Sequence, residues 1–350
     1  MQKINYLDLF CGCGGLTEGF EQSGNYNFLG GVDWDKSCVN TLRERLQKYC
    51  VNDPNDRVLE MDIRNHNEVF SSFDQLINNK TVDLIVGGPP CQAYSIAGRI
   101  RDKDQMKNDY RNFLFESYVK VVDKYKPKFF IFENVPGILT AKPGGIHITK
   151  RIYEGFDNIG YQISPDLRKD AIFDLSEYGV PQKRRRVIIL GVRKDLSTDP
   201  FETLGKFYVA LRDARKNYLR KTVKDAIFDL PPILPLKEES KGKRVSHELK
   251  SKTISWHVPR FHNERDIKIF KELALDIASG SNKYQDIESI KKLYTKMTGK
   301  KSNVHKYYVL RSNEPSNTIV AHLHKDGLRH IHPDPTQARS ITVQIGRAHV

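Results

Sequence analysis

The sequence predicts an α/β protein: a doubly wound, mainly parallel sheet covered on both faces, with a smaller irregular domain after it. Three observations carry this. Short apolar runs alternate with amphipathic stretches through the first half of the chain. The first run is followed at once by a glycine-rich turn and a helical stretch, the layout of a sheet that binds ligand at its carboxyl edge. After about residue 195 the texture changes to Lys, Arg, Ser and Asn with scattered aromatics and weak periodicity.

Taken in order, INYLDLF (4–10) reads as a buried strand, Gly12, Gly14 and Gly15 as a turn, and LTEGFEQSG (16–24) as a helix ending near Gly24. NFLGGVDWD (27–35) is a second strand ending in acids, SCVNTLRERLQKY (37–49) has helical spacing, and a third strand precedes MDIR, which supplies Asp62. VDLIVGG (82–88) and FFIFENV (129–135) are further strands, with the helical stretch NFLFESYVKVVDKY (112–125) between them; RRVIILGVR (185–193) is another strand. LPPILPLKEESKGKR (230–244) reads as a loop or linker, and there is no internal repeat.

Composition narrows the partners. The 350 residues are 39% hydrophobic and 29% charged, ordinary for a globular chain. No apolar stretch approaches the roughly 20 residues that span a bilayer. The N-terminus lacks the basic-then-apolar layout of a secretory signal, so a cytoplasmic protein without a membrane partner is expected. Five cysteines, an odd count in a large chain, argue against a disulfide scaffold, and their spacing does not suggest a metal site. A net charge of +14 suits a protein that binds phosphates and gains affinity by releasing counterions.

The strand ends carry the chemistry. A glycine turn lets backbone approach a nucleotide-type ligand closely. Asp33 closes the second strand where an acid commonly accepts ribose hydroxyls, Trp34 can stack on an adenine ring, and Asp62 can meet the adenine amino group. Each acid alone also suits a helix cap or a solvated strand end; the three features in chain order point to the ligand. Cys91 follows VDLIVGG on a turn stiffened by prolines, among Gly, Pro, Gln and Ser rather than the apolar neighbours of a structural thiol. Glu133 ends the next strand, and QKRRR (182–186) opens a further one. A thiol, a carboxyl and guanidinium groups at one sheet edge suit cytosine: the thiol adds at carbon 6 and makes carbon 5 nucleophilic, while the acid at ring nitrogen 3 and an arginine on the carbonyl oxygen stabilise the developing charge.

DLFCGCGG, VDWD, MDI, GGPPCQAYS, ENV and QKRRR resemble, in order, the motifs of the DNA (cytosine-5)-methyltransferase family, and the resemblance covers nearly the whole chain. It implies a Rossmann-like class I methyltransferase fold, S-adenosylmethionine as methyl donor with no metal, and a target base flipped out of double-stranded DNA. By position it makes Cys91 the nucleophile, Glu133 the acid at nitrogen 3, and Arg186, with Arg184 beside it, the arginine on the carbonyl. Phe10, Gly12, Gly14, Gly15, Asp33, Trp34, Asp62, Ile63 and Pro90 match the donor pocket, with Gln92, Ser95, Asn134 and Gln182 in support.

The implied organisation is a catalytic domain over 1–195, a target-recognition domain over 196–310 that includes the basic and aromatic WHVPRFHNERD (256–266), and a return segment over 311–343. The tail 344–350 reads as non-native: IGRAHV back-translates to an adapter sequence, so the gene is expected to run on and this shortened chain to be impaired. The resemblance implies a monomeric modification enzyme of a restriction–modification pair, with a cognate restriction endonuclease, or a phage enzyme. The alternatives are a tRNA cytosine-5 methyltransferase on the same core and a truncated, inactive DNA-binding relative. A nucleotide-dependent oxidoreductase leaves the Pro-Cys-Gln and Glu-Asn-Val pieces unexplained.

Overall fold

The computed structural model describes residues 3–49, 51, 53–90, 114–142, 145–196, 198–236, 245–249, 254, 256–258, 260–301, 307–319 and 327–342. The chain divides into two compact units, Met1–Phe173 with Arg185–Asp213, and Asp174–Arg184 with Ala214–Val350.

The first unit is built on strands β1 (Ile4–Leu9), β2 (Tyr26–Asp33), β3 (Val58–Glu60), β4 (Leu84–Gly87), β5 (Phe129–Asn134), β6 (Tyr161–Ile163), β7 (Ile172–Asp174) and β8 (Arg185–Arg193). Their order is β3-β2-β1-β4-β5-β8-β6, with β7 also paired to β8. The pairs from β3 to β5 are parallel, whereas β8 runs antiparallel to both β5 and β6. Tyr6, Leu7, Leu9, Leu84, Ile85 and Val86 are all buried, so successive residues that point to opposite faces are covered on both, as in a sheet sandwiched by helices. The strand order turns back at β1 and β4, and the crevice beyond their carboxyl ends is where a doubly wound sheet takes its ligand.

The helices around this sheet follow from local chemistry. Helix Gly15–Ser23 ends at Gly24, which closes it in the left-handed conformation with φ of 70°. Helix Lys36–Gln47 starts at Asp35, whose carboxylate accepts the Cys38 N–H at 3.0 Å. Helix Leu114–Tyr125 buries Leu114, Phe115, Tyr118, Val121 and Val122 on one face. Phe130 stacks on Phe156 at 4.0 Å between centroids, and Tyr118, Phe115 and Phe132 close edge-on around them. Burying each such ring contributes about 2 kcal/mol. The Tyr118 hydroxyl escapes a burial penalty by donating to the Ile131 carbonyl at 2.9 Å.

The second unit holds helices Val223–Ile227, Glu264–Ala278 and Ile287–Thr298 and a two-stranded antiparallel pair, β9 (Ile233–Pro235) with β10 (His247–Leu249). Its sequence suggested weak periodicity, yet two of these helices are long and capped, by Asn263 and by an Asp286–Ser289 capping box. The apolar positions Ile269, Phe270, Leu273 and Ala274 were diluted by intervening charges but lie on one face. The 230–244 stretch, read as a loop, contributes β9. Polar groups fill much of the interior. His247 bonds the Gln337 carbonyl at 3.1 Å, His257 bonds Thr342 Oγ1 at 3.0 Å and the Pro231 carbonyl at 2.9 Å, and His262 Nε2 accepts the Ser340 N–H at 3.1 Å. Buried Arg339 donates twice to Gln337 Oε1, at 3.1 and 2.8 Å. WHVPRFHNERD is thus anchored by His257 and His262 while Trp256, Val258 and Phe261 stand exposed.

Candidate active site

The site grows from the carboxyl ends of β1, β2, β4 and β5 and from the start of β8. Phe10 leaves β1 with φ of 56°, a conformation that a bulky residue adopts only under restraint. The restraint is local: the Cys11 N–H bonds the Val32 carbonyl at 3.2 Å and the Gly12 N–H bonds Asp33 Oδ2 at 2.9 Å. Gly14 follows with φ of 85°, and a Cβ there would fall 2.4 Å from Leu42 Cδ1, so the turn admits no side chain. Above Gly12 and Gly15, by contrast, none of the described residues lies within 4 Å of a would-be Cβ, leaving backbone open to a ligand.

Asp33 spends one lone pair on Gly12 and another on the Asp35 N–H at 2.9 Å, and keeps acceptor capacity besides. Trp34, 69% exposed, stands beside it. Asp62 is gripped by Arg64 Nε at 2.9 and 3.0 Å, and that guanidinium holds its carboxyl below the usual range. Ile63 is buried next to it. This set fits a nucleotide-sized ligand with an adenine and a ribose.

Glu133 and Arg186 meet. The strands that carry them are antiparallel, with Glu133 opposite Ile188 and Asn134 opposite Val187, so the beginning of β8 lies at the end of β5. Arg186 Nε reaches Glu133 Oε1 at 2.6 Å, a short charge-assisted contact. Gly88 leaves room for this carboxylate: a Cβ there would sit 2.7 Å from Glu133 Oε2. Buried Asn134 donates from Nδ2 to the Pro89 carbonyl at 3.1 Å, fastening the Pro89–Pro90 turn to the end of β5. Cys91, Gln92 and Ser95 lie outside the described residues, as do 112–113 and the 344–350 tail. Gln182 and Arg184 belong to the second unit. There Gln182 Oε1 accepts the Ile319 N–H at 3.0 Å, and the Arg184 carbonyl accepts the Leu175 N–H at 3.0 Å.

Asp8, passed over in the sequence, is fully buried two residues before Phe10. Its Oδ2 accepts the Thr17 hydroxyl at 2.6 Å, while Oδ1 has no hydrogen-bond partner among the described residues. Burial, opposed by the Thr17 bonds and aided by the nearby Asp33 charge, pushes its carboxyl up to about 7. The available signal was an acid inside the apolar run YLDLF. Among the described residues no cluster of three His, Cys, Asp or Glu side chains is arranged to hold a metal ion, and no helix is long and apolar enough to cross a membrane.

A mainly parallel doubly wound sheet, with a glycine turn after β1, an acid at the end of β2 and a glutamate–arginine pair joining the end of β5 to the start of β8, defines a class I methyltransferase fold. The chain belongs to the C-5 cytosine-specific DNA methylases, whose family model matches residues 4–344. It is 33% identical over 410 aligned positions to the type II methyltransferase M.Bpa9945I of Bacillus paralicheniformis, covering 97% of this chain and 88% of that one. It is 36% identical over 218 positions to the type II methyltransferase M.DdeI of Desulfomicrobium norvegicum, covering 60% of this chain and 47% of that one. In fold it resembles a crystal structure from E. coli described as a prophage-encoded DNA modification methyltransferase. The TM-score is 0.62 at 24% identity, over 99% of this chain and 88% of that one.

Proposed function

We propose that this chain methylates carbon 5 of a cytosine flipped out of a specific double-stranded DNA sequence, as the modification enzyme of a type II restriction–modification system. The observation that carries the reading is the Glu133–Arg186 pair, at 2.6 Å, beside the Pro89–Pro90 turn that leads straight into Cys91. In this reading the Cys91 thiolate adds to carbon 6 of the base, and the electron pair released to carbon 5 makes that carbon the nucleophile. Glu133 holds ring nitrogen 3 with a hydrogen bond that strengthens as charge develops. Arg186, already tied to Glu133, holds the carbonyl oxygen and fixes the ring plane. After transfer, loss of the carbon 5 proton and expulsion of Cys91 restore the base.

S-adenosylmethionine, when bound, supplies an electrophilic methyl group on a sulfonium. Phe10, Gly12, Gly14 and Gly15 would hold its amino-acid end, Asp33 the ribose hydroxyls, Trp34 and Ile63 the adenine faces, Asp62 the adenine amino group, and Pro90 the wall nearest the base. The catalytic domain, 1–195, then falls mostly in the first unit, and the target-recognition domain, 196–310, with its buried histidines and outward Trp256 and Phe261, mostly in the second.

The test is tritiated methyl transfer from S-adenosylmethionine to duplex DNA and, in parallel, to tRNA, followed by bisulfite sequencing of the labelled DNA. Label confined to cytosines of one short sequence context is the expected result. Label on tRNA alone, or on adenine, overturns the reading. DNA containing 5-fluorocytosine should trap the protein covalently through Cys91, and Cys91→Ser should abolish the adduct.

A further inference from the structure

Two thiols outside this chemistry face each other. Cys13 is exposed in the glycine turn after β1, and Cys38 is half-buried in the first turn of helix Lys36–Gln47, just past the acids that end β2. The Cys13 thiol donates to Cys38 Sγ across 3.6 Å, and no disulfide joins them. A disulfide holds its sulfurs at about 2.05 Å, so closure needs an approach of about 1.5 Å.

That approach has consequences because the turn has no slack. Leu42, on the same helix as Cys38, already fills the space at Gly14, where a Cβ would fall 2.4 Å from its Cδ1. Gly12 is clamped to Asp33 at 2.9 Å, and Phe10 is held at φ of 56°. Any part of that approach that side-chain rotation does not supply pulls on the turn at Gly12 and, through its bond, on Asp33.

We propose that Cys13 and Cys38 form an oxidisable dithiol whose closure ties the glycine turn to the helix after β2 and weakens binding of the adenosyl donor. The second half rests on the donor-pocket reading above. The oxidant is a peroxide. The Cys13 sulfur attacks one peroxide oxygen, the O–O bond breaks, and the other oxygen leaves as hydroxide and becomes water. The resulting sulfenic sulfur is attacked by Cys38; its S–O bond breaks, and the oxygen leaves as a second water with the thiol proton. Two thiols and one hydrogen peroxide thus give one disulfide and two waters, with two electrons passing from sulfur to oxygen. Burial and the neighbouring Cys13 push the Cys38 thiol up to about 12, which leaves the exposed Cys13 as the first-attacking partner. Cys11 does not compete: it is buried, and burial raises its thiol well above the ordinary value.

The experiment treats the full chain with hydrogen peroxide, digests it with trypsin without reduction, and maps the peptides. Peptide 4–36 joined to 37–43 through Cys13 is the expected product, absent from Cys13→Ser and Cys38→Ala. S-adenosylhomocysteine binding, followed by calorimetry, should weaken at least ten-fold on oxidation, recover with dithiothreitol, and stay unchanged in oxidised Cys13→Ser. That variant separates the effect from oxidation of Cys91. No joined peptide, or a joined peptide with unchanged affinity, overturns the inference. Failure of the reduced protein to bind S-adenosylhomocysteine would instead overturn the donor reading, and the joined peptide would still decide the thiol pair.

Discussion

The two units are held together by opposite means. The interior of the first is aromatic and aliphatic, with Phe130, Phe132, Phe156 and Tyr118 at its centre and one buried acid, Asp8, at its edge. The second encloses His247, His257 and His262, bonded to partners far away in sequence, and His332 and Arg339, bonded to near neighbours. The difference teaches that the buried acid of the first unit and the buried histidines of the second answer to pH in opposite senses. Asp8 is raised to about 7 from an unfolded value of about 3.8. Between those values the unfolded chain has already lost its proton, so the contribution of Asp8 to the first unit's stability is lost as pH rises. Burial lowers His262 and His332 to about 3. Below the unfolded value of about 6.5 the unfolded chain binds more protons, so the second unit loses stability as pH falls toward 3. The acceptor roles of His262 Nε2 toward Ser340 and of His332 Nδ1 toward Asp334 fit neutral rings.

The largest expected effect tests whether chemistry is confined to the first unit. Glu133→Gln should lower the methyl-transfer rate by about 10²–10⁴-fold, with thermal melting nearly unmoved because the Arg186 pair is partly solvated. A variant of near-normal rate would remove the division of labour. Next, Arg339→Ala should destabilise the second unit by about 2–4 kcal/mol, by leaving a void and loosening Gln337. Hydrogen exchange should speed at 257–262 and 340 while amides of β1 and β4 stay protected; uniform loss in both units would erase the contrast.

Acidification from pH 7 to 5 should cost the second unit on the order of 2 kcal/mol for each of His262 and His332. The same exchange measurement at both pH values reads this, and Asp8→Asn sharpens it by removing the opposite slope in the first unit. The smallest expected effect is Asn134→Ala. Losing the bond to the Pro89 carbonyl should lower the rate about ten-fold, worth about 1.4 kcal/mol, without altering donor affinity. A change in affinity alone would place Asn134 in the other half of the site.

What the sequence made legible follows from where local rules suffice. Strands β1, β2, β4, β5 and β8 were plain because their apolar runs are nearly continuous, whereas β6 and β7, three residues each, are too short to stand out, and Glu133 stood out as an acid at the end of FFIF. Its contact with Arg186 was not legible, because it depends on β8 running antiparallel to β5, and no spacing along the chain encodes that direction. The long helices of the second unit hid behind lysines: Ile287, Ile290, Leu293, Tyr294 and Met297 keep helical spacing, but IESIKKLYTKMT reads as mostly polar. The buried histidines left no pattern, since their partners lie 78 to 90 residues on, as for Ser340 with His262 and Gln337 with His247. Asp8 was read as part of a motif, and its missing partner became visible only with its surroundings.

The reversal of β8 also sets an order of events during synthesis. Phe129 finds its partner in Val192, sixty-three positions later, after a detour through the helix Ile148–Asn158 and the strands β6 and β7. A ribosome adding about 5–20 residues each second leaves the outer edge of β5 unpaired for several seconds. Through that interval the nascent chain carries the glutamate without its arginine and an open strand edge ready to recruit a neighbour. Completion of β8 seals that edge and assembles the glutamate–arginine pair in a single event.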